Sequence, residues 1–143
     1  MGKNSSVNDS YRATPEQMRR KHVFVVNGSP EFLDMIRDLL QEEQYNVTTT
    51  NFVPRTFDQI QAAQPSLLVV DLVMGEKASW DLLSQLRAGA AERAIPIILV
   101  STLPQLLDEA RATHAAYGGD RYLIKPFDLD DLLAAIQDLI GRA

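Results

Sequence analysis

The sequence contains no cysteine, which removes disulfides, thiolate metal sites and thiol nucleophiles from consideration. Histidine is scarce as well: His22 and His114 stand far apart, without the short spacing of a shared metal site. No apolar run approaches the roughly 18 residues of a membrane span, and the amino terminus lacks the apolar core of a signal peptide. Basic residues are the minority, 14 Lys and Arg against 19 Asp and Glu, giving a net charge of −5. A nucleic-acid surface or an anionic membrane needs a concentrated basic face, so neither is expected as a main partner. These absences leave a soluble, cytoplasmic domain as the expectation.

The 143 residues, 45% hydrophobic and 23% charged, suffice for one ordinary domain with its own core. Residues 1–21 are polar and rich in Ser and Asn, and read as a flexible tail. Within them Thr14, Pro15 and Gln17 spell the start of a short helix, and Arg19, Arg20 and Lys21 a solvated basic run. The domain proper is expected over 22–143.

The pattern of that domain alternates. His22–Val26 and Leu67–Asp71 are short apolar runs without polar alternation, as in strands buried on both faces. Ile95–Val100 and Arg121–Ile124 add two more, and Tyr45–Thr50, β-branched and alternating, suits a sheet edge. Between them lie helical patterns. Ser29 and Pro30 open one that presents Phe32, Leu33, Ile36, Leu39 and Leu40. Pro54 begins another, with Phe57, Ile60 and Gln61 or Ala62 inward. Ser79 caps a third, Trp80–Ala88, burying Leu82, Leu83 and Leu86 after a turn-like 75–79. Pro104 to Tyr117 forms the fourth, closed by a left-handed cap at Gly118–Gly119. Asp128 with Asp131 caps the last, whose stripe is Leu132, Leu133, Ile136, Leu139 and Ile140. Strands alternating with helices require a parallel sheet covered on both faces, so the fold class is α/β, doubly wound.

Parallel strands share one carboxyl edge, where open α/β sheets place their ligands. Asn27–Gly28, Asp71, Ser101–Thr102 and Lys125–Pro126 then converge. An acid, a hydroxyl and a lysine around a crevice suit phosphoryl chemistry, with the carboxylate as nucleophile, Lys125 neutralising the product and Ser101 donating a hydrogen bond. The competing reading is a structural Asp–Lys ion pair that closes the mouth of the sheet.

From His22 onward the chain resembles the receiver domain of two-component response regulators, the chemotaxis-regulator fold. The resemblance rests on Asp71 closing a hydrophobic strand, Ser101, the aromatic Tyr122 three residues before Lys125, and the run Lys125–Pro126–Phe127. It implies a flavodoxin-like five-stranded sheet of order 2-1-3-4-5, with Asp71 as phosphoacceptor. It further implies phosphoryl contacts from Ser101 and Lys125, a switch role for Tyr122, and a cis peptide bond at Lys125–Pro126; Thr102, where the family has a small residue beside the hydroxyl, is a further phosphoryl-contacting candidate. The family's first strand ends in two acids that hold Mg²⁺; here Asn27 and Gly28 stand in those positions. The proline that follows the family position of Met74 is replaced by Gly75. For metal this leaves Asp71 and a backbone carbonyl such as that of Val73, where Mg²⁺ wants carboxylates plus waters. With three carboxylates reduced to one facing Lys125, the pocket is already balanced, and metal has little reason to enter.

The expectation is therefore an atypical receiver with weak or absent Mg²⁺-dependent phosphorylation at Asp71, acting through protein–protein contacts. It is not expected to be an enzyme beyond self-phosphorylation at an aspartate, and no cofactor is expected. Partners implied by the family are a sensor histidine kinase, a phosphotransfer protein or a second receiver. A homodimer through the fourth helix, fifth strand and fifth helix is also implied. With nothing after Ala143, output is expected to pass through a partner. The alternatives are an ordinary phosphoacceptor that uses Mg²⁺, or a flavodoxin-like domain binding a small anion, which lacks a glycine-rich loop after its first strand.

Overall fold

A computed structural model describes residues 20–51, 56–72, 77–88, 95–112 and 119–141, the side chains at 77–79 and 87 excepted. Residues 1–19 of the tail, its short helix included, Pro54, Val73 to Gly75, His114, Tyr117 and Gly118 lie outside the described residues, while Arg20 and Lys21 are half-buried and the Lys21 ammonium donates to the Ile140 carbonyl. Five strands form one sheet: β1 (His22–Val26), β2 (Asn46–Thr50), β3 (Leu67–Asp71), β4 (Ile97–Ser101) and β5 (Arg121–Ile124). They pair in the order β2-β1-β3-β4-β5, as the resemblance implied, and every pair is parallel, as the alternation of strands and helices required. Among the described residues five helices alternate with them: α1 (Pro30–Glu42), α2 (Thr56–Ala63), α3 (Lys77–Ala88), α4 (Pro104–Ala112) and α5 (Leu129–Ile140).

The central strands β3 and β4 are buried at every position, the result of unbroken Leu, Ile and Val runs covered by helices on both sides. One core joins Phe24, Val26, Leu68, Val70 and Leu99 to Ile60 of α2, Leu82 and Leu83 of α3, and Leu106, Leu107 and Ala110 of α4. The other joins Val23, Val25, Leu67, Val69, Ile98 and Val100 to Ile36 and Leu40 of α1 and Leu132, Ala135 and Ile136 of α5. Each large side chain fully buried this way contributes roughly 1.5–3 kcal/mol. Strand alternation thus assigns odd positions of β1 and β3 to the α1/α5 face, and carries Asn27 and Asp71 onto that face at the strand ends.

Local chemistry departs from expectation in five places. Helix α3 begins at Lys77, placing Ser79 inside it rather than at its cap, and β4 begins at Ile97 rather than Ile95. On α2 the buried positions are Thr56 and Ile60, while Gln61 and Ala62 are exposed, because eight residues give a face only two turns long. Asp128 occupies the N-cap of α5 without a side-chain bond; its backbone carbonyl instead accepts from Asp131 N at 2.9 Å. Gly119 has no left-handed φ; a Cβ there would lie 2.9 Å from Leu99 Cγ and 3.0 Å from the Ile97 carbonyl, so it is glycine for want of space. The Ser29 cap of α1 is as expected, its Oγ accepting from Phe32 N at 3.3 Å with Pro30 in the first turn.

Candidate functional site

The carboxyl edge of the sheet brings Asn27, Asp71, Ser101 and Lys125 together, each at the end of its own strand. Pairing of Val26 with Val70 and of Asp71 with Val100 fixes the order across the edge. Ser101 pairs with Ile124, which delivers Lys125 to the same rim; its backbone N–H donates to the Ser101 carbonyl at 2.7 Å. The Lys125–Pro126 bond is cis, as the resemblance implied.

Lys125 Nζ lies 3.0 Å from Asp71 Oδ1. Asp71 is almost wholly buried, and burial pushes its carboxyl above the ordinary carboxylate range despite the opposing pull of Lys125. The lysine is gripped from a second side by Phe32, whose ring centroid is 5.0 Å from Nζ, a cation–π contact. Phe32 in turn meets Phe127 edge to face, with centroids 6.4 Å apart. Phe32 reads in the sequence as a core position of α1; its place in the first turn, beside the carboxyl edge, is the signal that it could reach the site.

Ser101 is fully buried and its hydroxyl is committed: Oγ donates to the Leu72 carbonyl at 2.7 Å and accepts from Leu103 N at 3.1 Å. Thr102 is exposed beside it. Tyr122 is half-buried against the α2–α4 core, its hydroxyl accepting from Gly119 N at 2.8 Å and its ring carrying the Arg111 guanidinium at 4.3 Å. Gly28 is exposed, and a side chain added there would meet nothing within 4 Å.

Asn27 is the most informative residue of the rim. Its Oδ1 accepts from Ser29 N at 2.8 Å, which fixes the amide orientation, because a flip would set two donors against each other. That leaves Nδ2 pointing elsewhere, and among the described residues it is the one buried side-chain polar atom without a hydrogen bond. Such an orphan costs about 1–3 kcal/mol. The resemblance implies Mg²⁺ in this place, and the donor set does not suit it. The Asn27 oxygen is already spent on a turn, its free group is a donor, and Gly28 offers no side chain. Among the described residues no cluster of three His, Asp or Glu could hold a cation. A polar cleft of about 680 Å³ opens at the opposite, amino edge beside Arg20, His22 and Tyr45, away from this chemistry. His22 there bonds Thr48 through Nε2 at 2.7 Å, and burial lowers its basicity. No helix among the described residues is long and apolar enough to cross a membrane.

Known proteins agree on the fold and family. The chain is 26% identical over 122 residues to the DNA-binding dual master transcriptional regulator RpaA of Synechocystis, covering 84% of this chain and 49% of that protein. It is 25% identical over 120 residues to the probable transcriptional regulatory protein TcrX of Mycobacterium tuberculosis, covering 84% and 50%. The chain thus spans about half the length of these curated relatives. Among solved structures, the signal receiver domain of a Bermanella marisrubri response regulator matches with a TM-score of 0.72 at 26% identity, covering 85% of this chain and 99% of that one. A Vibrio cholerae chemotaxis response regulator shares the fold at a TM-score of 0.71 and 23% identity, covering 84% and 98%. The response regulator receiver domain model matches residues 23–137, and the chain belongs to that family.

Proposed function

We propose that this receiver serves two-component signalling as an atypical member, in which Mg²⁺-dependent phosphorylation of Asp71 is weak or absent and protein–protein contact carries the signal. The observation that carries the reading is the rim around Asp71: Lys125 at 3.0 Å balances its charge, and the neighbouring positions are an amide donor and a glycine. A cation entering there would meet one carboxylate already paired, and Mg²⁺ sheds its waters reluctantly. Asp71 is the phosphoacceptor position, Lys125, Ser101 and Thr102 the phosphoryl-contacting ones, and Tyr122 the switch aromatic. The commitments of Ser101 to Leu72 and of Tyr122 to Gly119 hold Ser101 and Tyr122 each in a single arrangement.

Receiver domains meet histidine kinases and phosphotransfer proteins, and these or a second receiver are the partners we assign to this chain. Ile124, an exposed large apolar side chain on the edge strand β5, offers a second copy or an effector an apolar contact. Nucleic acid and membrane are not assigned to this domain, and its place is the cytoplasm. The test is incubation with a small acyl phosphate, read by intact mass. The reading expects Mg²⁺ to leave the extent of modification unchanged. A strong Mg²⁺-dependent adduct on Asp71 would restore the ordinary phosphoacceptor.

A further inference from the structure

We propose that Asn27 takes the place of the cation, its Nδ2 and the Lys125 ammonium forming a metal-free oxyanion site through which Asp71 accepts a phosphoryl group. The inference deepens the reading above and rests on it for Asp71 as acceptor. Its ground is the orphaned Nδ2. Asn27 is 1% exposed, so water does not reach its amide from bulk, and its oxygen is locked by Ser29 N. The register that pairs Val26 with Val70 brings Asn27 beside Asp71, and strand alternation turns both toward the α1/α5 face. A buried donor on the face that Asp71 shares lacks an acceptor, and an oxygen added to Asp71 would supply one. Helix α1 starts three residues later and directs its positive end to the same edge.

The step balances without a metal. The Asp71 oxygen that Lys125 does not hold attacks the phosphorus of an acyl phosphate. An O–P bond forms, the P–O bond to the acyl group breaks, and its electron pair leaves with a carboxylate. No proton moves and nothing is oxidised. The product carries more negative charge than the carboxylate it replaces, and the amide and ammonium are the donors that meet it.

The full chain is incubated with acetyl phosphate in EDTA and, separately, with Mg²⁺, and the gain of roughly 80 Da for one phosphoryl group is followed in time. The expected result is an adduct in EDTA that forms at the same rate with Mg²⁺ and is absent in Asp71→Asn. Asn27→Asp, of the same size but with an acceptor in place of the donor, is expected to slow the EDTA reaction on the order of 10²–10³-fold. Asn27→Ala should do the same; circular dichroism reports whether it folds, and if it does not, the Asp variant carries the test. No adduct in EDTA, or an undiminished rate in Asn27→Asp, overturns the inference. No adduct with or without Mg²⁺ overturns this inference and leaves the reading of an atypical receiver standing. An adduct that forms only with Mg²⁺ overturns both.

Discussion

Replacing Lys125 by Met keeps an unbranched stem and removes the charge that faces Asp71 and the Phe32 ring. The carboxylate side chain is 8% exposed and the lysine 19%, with 3.0 Å between them. Breaking a buried pair from one side costs about 3–5 kcal/mol, and partial access of Lys125 to water lowers that to about 2–4 kcal/mol near neutral pH. For a domain near this size that corresponds to a fall in Tm of about 5–20 °C. The pH dependence follows from linkage. Asp71 in the folded chain already binds its proton more readily than an ordinary carboxylate, chiefly through burial. Its contribution to stability is therefore full below the unfolded carboxylate pKa and is lost as pH rises through the folded one. Without Lys125 the folded value climbs further, so the deficit of Lys125→Met should shrink on going from about pH 7.5 to about pH 5. Urea unfolding at the two pH values, with the slope held constant, measures this. Asp71→Asn in the same background should restore most of the loss. A deficit below about 0.5 kcal/mol, or one equal at both pH values, would refute the reasoning.

Three further outcomes are expected. Gly119→Ala forces a methyl group to 2.9 Å from Leu99 Cγ and 3.0 Å from the Ile97 carbonyl, and should cost about 1–3 kcal/mol in chemical denaturation. Tyr122→Phe leaves the Gly119 N–H without its 2.8 Å acceptor and should cost about 1 kcal/mol while the ring and its Arg111 contact persist. Ser101→Ala strips the Leu72 carbonyl and Leu103 N–H of partners at a fully buried position; a loss of about 1–3 kcal/mol in thermal unfolding is expected.

The sheet and its rim were legible because they rest on strong signals. Unbroken runs such as Leu67–Val70 and Ile97–Val100 admit few placements other than buried parallel strands, and each run ends in the residue that forms the rim. The amphipathic stripes of α1 and α5 were equally plain; Ala135 escaped because a small residue adds little to a stripe yet fits a tight contact. What failed was set by distances between elements. Gly119 looks like a helix cap in one dimension, and only the approach of Leu99 shows why it must lack a side chain. Phe32 reads as core, and its stacking on Lys125 depends on how α1 crosses the rim. The start of α3 differs from the expectation because Lys77, Ala78 and Ser79 carry no large apolar side chain and look like a loop, whereas the helix needs only its later turns to be apolar. The orphaned amide of Asn27 is invisible to sequence, which shows the exchange of acid for amide but not which amide atom is already engaged.

The central claim is that the rim around Asp71 does not take a divalent cation, and direct titration with Mg²⁺ tests it most closely. The comparison is between the chain itself and the double variant Asn27→Asp with Gly28→Asp, which restores two acids at a rim where a side chain on residue 28 meets nothing within 4 Å. The variant should be less stable without metal, since two new carboxylates crowd Asp71. At 100 times its Kd, Mg²⁺ should then return roughly 2.7 kcal/mol. In the unaltered chain, thermal unfolding and calorimetric titration at millimolar Mg²⁺ should both be flat. A saturable one-to-one binding isotherm in the unaltered chain, with a matching rise in Tm, would contradict the account.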